Sequence, residues 1–269
     1  MNTRLMMNKL QHRSDQRGMG LVELMISILI GLILLGTLAY VYLGTQQTSR
    51  THDDLSRMEE SGRNAMEIIG KAVRQAGFRL DVNSTFSTSS NGIGAIFGTE
   101  GGGTGASAPS DTLTIRHDPA WAVATAAKPT LRGSEANCRS DVINSDAPAP
   151  ANVVEYVFNI SSASELRCGT NAATGAVGGV IVDNIERMQL TYGLRDATGA
   201  ITSYVPANLV TAWNQVVAVR VSLLVRGPSA GITANNSQTY TFNGETFAST
   251  DGFLRQVYTS TFTVRNQAL

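Results

Sequence analysis

The chain opens on a polar stretch, MNTRLMMNKLQHRSDQRG over residues 1–18, and carries no charge between Leu24 and Ser49. The strongly apolar part of that run is Leu24 to Leu43. It is about 20 residues long, enough at ~1.5 Å per residue to cross a hydrocarbon core of ~30 Å. The pattern then turns amphipathic. Leu55, Met58, Gly62, Ala65, Ile69, Ala72 and Ala76 recur at steps of three and four, while Asp53, Asp54, Arg57, Glu59, Glu60, Arg63, Glu67, Lys71 and Arg74 are assigned to the other faces. No proline interrupts Met19 to Gly77, and Gly77 is a suitable C-terminal stop. One helix of about 59 residues, ~88 Å long, is therefore predicted, with Gly31 and Gly36 as locally weaker points.

From Leu80 the composition shifts to Ser, Thr, Gly and β-branched residues. Residues 83–110 read as a long loop or irregular flap. Strand-like runs follow at Asp111–Arg116, Val153–Asn159, Glu165–Arg167, Val180–Val182, Arg187–Leu194, Gln215–Arg226, Thr239–Phe242 and Arg255–Val264. Alternation is clearest where Val217, Val219, Val221 and Leu223 share a face. Short Gly- or Asn-bearing connections favour antiparallel hairpins over βαβ crossovers. The predicted fold class is α+β: a long N-terminal helix packed on an antiparallel β-sheet head. The expected divisions are a leader at 1–18, the long helix at 19–79 (24–43 transmembrane, 44–77 amphipathic) and a β-rich head at 80–269.

Charge gives the apolar run a direction. Arg4, Lys9, Arg13 and Arg17 precede it against the single acid Asp15. Basic residues in front hold the amino end on the cytoplasmic side, so the remainder lies outside the inner membrane. A cleavable secretory signal is an alternative, but its apolar core is usually only ~7–15 residues. A plain membrane anchor is another. Neither accounts for Glu23. A carboxylate in a spanning helix costs on the order of 2–3 kcal/mol near the bilayer centre, less near its surface, and calls for a partner.

The residues Arg17-Gly18-Met19-Gly20-Leu21-Val22-Glu23-Leu24-Met25 resemble the type III signal of type IV pilins and pseudopilins: a basic leader, Gly, an apolar residue, and Glu at the fifth position after the cut. The resemblance implies cleavage between Gly18 and Met19 by a prepilin peptidase and N-methylation of Met19. It gives Glu23 the task of neutralising the amino-terminal charge of a neighbouring subunit. Met stands where Phe is usual in the family. Arg74-Gln75-Ala76-Gly77-Phe78, the Val153–Val157, Leu166–Cys168 and Val182–Met188 segments, Trp213–Val221, and Thr259–Asn266 with its closing Arg-Asn are similar to PilW-type minor pilins.

The remaining chemistry is sparse. Lys plus Arg and Asp plus Glu both number 21, and removal of residues 1–18 leaves 17 basic against 20 acidic side chains. Nucleic acid is therefore a disfavoured partner, since such affinity rests on neutralised phosphates. Cys138 and Cys168 are the only cysteines, and outside the cytoplasm a disulfide between them is expected, two free thiols being the alternative. Gly227-Pro228-Ser229-Ala230-Gly231 matches G-x-S-x-G by letters, but that hydrolase motif needs a following helix and a later His. The residues after it are turn-like, and His12, His52 and His117 all precede it. Gly101–Gly103 lacks the Lys and Ser/Thr of a phosphate-binding loop, and no acid spacing resembles a calcium loop. No enzymatic activity, cofactor or metal site is expected.

The resemblance implies a minor pilin that helps initiate type IV pilus assembly in a tip or priming complex. The implied partners are the prepilin peptidase, other minor pilins and the major pilin through the amino-terminal helix, the pilus assembly platform and, as a further candidate, a tip adhesin. Its expected location is the inner membrane, single-pass with a periplasmic head, and then the pilus at the cell surface. A minor pseudopilin capping a type II secretion pseudopilus is the alternative. A membrane-anchored periplasmic enzyme or binding protein is the second, and it leaves Glu23 unexplained.

Overall fold

The computed structural model describes residues 20–78, 95–102, 109–117, 121–122, 130–131, 138, 154–169, 178–233 and 237–267. One helix, α1, runs over Leu21–Gln75. The strands are β1 (Ile96–Thr99), β2 (Thr112–His117), β3 (Trp121–Ala122), β4 (Thr130–Leu131), β5 (Val154–Ile160), β6 (Glu165–Gly169), β7 (Gly179–Asp183), β8 (Ile185–Arg195), β9 (Ile201–Val205), β10 (Val216–Arg226), β11 (Gln238–Phe242), β12 (Glu245–Ser249) and β13 (Arg255–Thr263). The chain forms two compact units, one ending at Ser49 and one beginning at Arg50.

In the second unit the strands form a five-stranded sheet, β1-β2-β5-β6-β7, and a four-stranded sheet, β13-β10-β8-β9, with small two-stranded pairs β11-β12 and β3-β4. Every strand pair is antiparallel. The fold is α+β, as the pattern predicts, with the single expected sheet resolved into two main sheets. All eight predicted strand runs are present within a few residues. The flap expected at 83–110 needs correction, because β1 lies inside it. Residues 83–94 and 103–108 of that stretch fall outside the described residues. The strands β3, β4, β9 and β12 are also additional. β3 and β4 are two residues each; β9 and β12 are short, flanked by a tight turn, and rich in Thr and Ser, so their alternation is weak.

β10 is the centre of the core. Val219 pairs with Tyr192 and Phe262, Val221 with Leu190, and Leu223 with Met188 and Tyr258. Directly paired residues lie on one face of a sheet, and the Arg50–Gln75 part of α1 packs on that face. A Cβ at Gly62 would stand 2.7 Å from the Tyr258 ring, and one at Gly70 2.5 Å from the Phe262 ring. Glycine at these positions lets the helix backbone approach the aromatic side chains of β13. Val217, expected in line with Val219, instead falls at a register shift between Val216 and Ala218, where its carbonyl accepts the Val264 N–H at 2.8 Å.

The helical stripe also needs adjustment at its start. Leu55 is 37% exposed, whereas Asp54, expected on an outer face, is 3% exposed. Met58, Gly62, Ala65, Ile69 and Ala72 are buried as the spacing predicts. At the other end, Gly77 has φ +75°, the left-handed stop that glycine takes without a Cβ clash.

Candidate functional site

Glu23 lies in the first turn of α1, where its N–H donates to the Gly20 carbonyl at 2.9 Å. A carboxylate is favourable at this end because the helix dipole leaves partial positive charge there. Its side chain is exposed and has no partner among the described residues. Leu21, Val22, Leu24, Met25, Ile26 and Ile28 around it are all exposed, as is most of the run to Leu43. By length and composition this helix can cross a membrane, and none of its most apolar stretch is buried against other parts of the chain.

The few polar side chains of the run are satisfied locally. Ser27, Thr37, Thr45 and Thr48 donate their hydroxyls to carbonyls one turn earlier, at 2.7–3.1 Å. A segment in hydrocarbon needs this, since no water is available to take those donors. Tyr40 and Tyr42 close the run at 80% and 63% exposure. Aromatic residues with a polar tip favour the lipid–water boundary. Gly18 and Met19, the expected cleavage and methylation positions, lie outside the described residues.

Within the second unit, Cys138 and Cys168 are joined as a disulfide with Cα atoms 6.3 Å apart, inside the usual range. Cys168 is buried on β6. The bridge fastens residue 138 to β6, next to the edge strand of the five-stranded sheet. Sequence alone left the free-thiol alternative open; the structure brings the two cysteines together.

Other polar contacts hold this unit together and were not legible as roles. Asp54 accepts the Ser229 hydroxyl at 2.9 Å and the Ser229 N–H at 3.1 Å. The serine of the G-x-S-x-G match is thus engaged by a carboxylate on α1, and bends rather than a helix follow it as far as Thr233. His52 is exposed on the helix, and His117 is buried on β2. An acid on the buried stripe was the available signal for Asp54.

Asp111 joins the two sheets. Its carboxylate accepts the Gly101 N–H at 2.9 Å and the Leu190 N–H at 2.7 Å, while its own N–H donates to the Met188 carbonyl at 3.0 Å. Burial pushes its carboxyl up to about 6, and nearby Glu100 adds to the rise, against the lowering effect of the two N–H donors.

Arg255 is the third such centre. Its guanidinium bonds both oxygens of Glu186, at 2.6 and 2.8 Å, and both oxygens of Asp251, at 2.8 and 2.6 Å. Ser249 accepts another of its protons at 2.6 Å. Bidentate pairing of this kind satisfies a buried guanidinium. The hydrogen bonds from Arg255 hold the Asp251 carboxyl well below the usual carboxylate range. Among the described residues no group of three or more His, Cys, Asp or Glu could hold a metal ion. These centres read as structural ties.

Residues 153–266 match the family of type IV pilus-assembly protein W, a span from the start of β5 to Asn266. Residues 13–39 match the prokaryotic N-terminal methylation motif, which covers Gly18, Met19 and Glu23. A type IV-like pilin from Thermus thermophilus is a distant structural likeness: 14% identity, TM-score 0.42, covering 82% of this chain and 99% of that one. No curated protein matches. A methylation motif leading into an exposed apolar helix, followed by a β-rich unit in which residues 153–266 match the pilus-assembly family, makes this chain type IV pilin-like, with its similarity to PilW resting on those residues.

Proposed function

We propose that this chain is a minor pilin that helps initiate type IV pilus assembly, in a tip or priming complex with other minor pilins. It is made as a prepilin, held in the inner membrane by Leu24–Leu43 with its β-rich head in the periplasm, and cut between Gly18 and Met19 by a prepilin peptidase. Met19 is then N-methylated, and the helix leaves the membrane to pack laterally among other pilin helices on the assembly platform and in the pilus.

The observation that carries this reading is Glu23, an exposed carboxylate without a partner among the described residues, at the head of an otherwise uncharged apolar surface. In a membrane or a helix-packed filament core such a charge is costly alone and tolerated when paired. The amino terminus of an adjacent processed subunit supplies the opposite charge. Nothing in the reading requires a catalytic group.

The test joins chemistry to phenotype. The amino terminus of the membrane-extracted protein is expected at N-methylated Met19 by intact mass. A deletion strain is expected to lose pili and twitching, to be restored by the wild-type chain, and to regain few pili with Glu23→Ala, which is still processed. An intact Met1 terminus in cells with working peptidase, or full piliation with Glu23→Ala, overturns the proposal. Loss of protein secretion with pili unaffected would place the chain in a type II secretion pseudopilus.

A further inference from the structure

The outward face of α1 carries charges in alternation. Asp53, Arg57, Glu60, Arg63, Glu67 and Lys71 follow one another at steps of three or four residues, and residues so spaced share one helix face. All six are exposed, while Asp54, Met58, Ala65, Ile69 and Ala72 are buried. None of the six has an ion-pair or hydrogen-bond partner among the described residues. The acids recur every seven residues with a base between them, so the stripe complements itself after a slip of about one helical turn. Arg74, which follows Lys71 with no acid between, ends the alternation.

We infer that this stripe docks against the same stripe of a second copy of the chain, parallel to the first and displaced along the helix axis by one turn, about 5.4 Å. In that register Asp53 faces the second copy's Arg57, Arg57 its Glu60, Glu60 its Arg63, Arg63 its Glu67 and Glu67 its Lys71. Without displacement every charge meets its own kind. With a seven-residue displacement Asp53 meets Glu60 and Glu60 meets Glu67, which is again repulsive. An antiparallel pair would also match, Asp53 on Lys71 and Arg57 on Glu67. Copies held in one membrane by Leu24–Leu43 run in the same direction, so the parallel register holds; this step rests on the proposed pilin reading.

The stripe sets register rather than strength. Exposed ion pairs contribute little affinity, but their arrangement selects orientation and suppresses wrong alignments. The apolar surface from Leu24 to Leu43 offers contact area to another helix without charges to fix an axial position. The charged stripe adds an axial constraint beyond the one that the Glu23 pairing sets at the head of that surface.

The experiment is oxidative cross-linking of full-length chains co-expressed in inner-membrane vesicles. Ser56, one turn before Glu60 on the same face, leaves the six charges intact when replaced. Ser56→Cys in one copy and Glu60→Cys in the other should cross-link several-fold more than either variant with itself, and the excess should fall at high salt. Adding Asp53→Lys, Glu60→Lys and Glu67→Lys to a Ser56→Cys copy should abolish its cross-link to a Glu60→Cys copy. Adding Arg57→Glu, Arg63→Glu and Lys71→Glu to that Glu60→Cys copy should restore the link. Equal homotypic and mixed yields, or insensitivity to charge reversal, overturn the inference. No cross-link from a chain correctly processed at Met19 overturns it alone and leaves the pilin reading standing. Cross-linking of Asp53→Cys to Lys71→Cys would establish the antiparallel pair and count against both.

Discussion

The side-chain amide of Asn266 donates to the carbonyl of Ala76 at 2.9 Å, joining residues 190 apart in the chain. A helix leaves its last carbonyls without intrahelical donors, and here the end of the chain supplies one. Next door, Gly77 donates its N–H to the Arg116 carbonyl at 2.9 Å. A Cβ on Gly77 would stand 3.0 Å from Ala95 and 3.3 Å from the Asn266 Cβ. The end of α1, the start of β1, the end of β2 and the final residues of the chain thus meet at one point.

Asn266→Ala should therefore destabilise the β-rich unit by about 1–2 kcal/mol, the cost of leaving a partly buried carbonyl without its donor. Asn266→Asp should cost more at neutral pH, because a carboxylate would then face the Ala76 carbonyl. Denaturant unfolding checks the order. Hydrogen exchange should accelerate at residues 72–78 before it does in β10.

How much of this arrangement could be read from the sequence differs by element. The apolar run and Glu23 were fully legible, because charge and hydropathy along one helix are local properties. The long strands β8, β10 and β13 were legible from alternation. The strand β1 was not. Ile96–Thr99 is only four residues inside a Gly- and Ser-rich stretch, and it is held by its ladder to β2, a non-local cause. Arg265-Asn266 stood out as a signature without a role, since its partner carbonyl belongs to a distant helix. Asp54, assigned to an outer helix face, and Asp111, read only as the start of a strand, were not identified as buried acids for a similar reason. Backbone donors brought by other segments decide their burial.

Asp54 makes that dependence measurable. Ser229→Ala removes one hydrogen bond and should cost about 1 kcal/mol. Asp54→Ala strands both the hydroxyl and the N–H of Ser229 and should cost about 2–3 kcal/mol. The double variant should cost less than the sum, because the two residues share one interaction. Additive losses in a double-mutant cycle would mean that the 2.9 Å and 3.1 Å contacts contribute nothing jointly.

Gly70 tests how closely α1 must sit on β13. Alanine normally gains ~1 kcal/mol over glycine within a helix. At residue 70 its Cβ would overlap the Phe262 ring at 2.5 Å, and overpacking of this kind costs about 1–3 kcal/mol. Gly70→Ala is thus expected to lower the melting temperature, whereas adding Phe262→Leu should recover part of the loss. A simple gain in stability from Gly70→Ala would show that the ring can move aside freely.

The disulfide should matter chiefly to the unfolded chain. Its cysteines are separated by 30 residues, and closing such a loop stabilises by roughly 3–4 kcal/mol in the chain-entropy account. Cys138→Ser/Cys168→Ser should lower the denaturant midpoint accordingly. Reductant should shift the wild type to the same midpoint and leave the variant unmoved. Equal stability with and without reductant would remove the disulfide from the account of how this unit is held.

The pH dependence of stability sets two buried groups against each other. Burial pulls the His117 imidazole down to about 4 from 6.5, and its Nδ1 has no partner among the described residues. Between those values the unfolded chain takes a proton that the folded one refuses, so acidification from pH 6.5 to 4 should cost on the order of 3 kcal/mol. Asp111 behaves oppositely. Its carboxyl is raised from 3.8 to about 6, so the folded chain keeps a proton that the unfolded chain has lost. Its contribution is fully present below pH 3.8 and is lost as pH rises to about 6, again on the order of 3 kcal/mol. The wild type should consequently show a shallow profile between pH 4 and 6.5. Asp251 and Asp196, held low by bonds from Arg255 and Thr198, add their losses only below about pH 4. Asp111→Asn should uncover the His117 slope, with stability falling as pH is lowered from 7 to 4. His117→Phe should uncover the reverse, with stability rising over the same interval. Denaturant titrations of the three proteins at pH 4, 5, 6 and 7 decide the matter, and parallel profiles would mean that neither group is linked to folding.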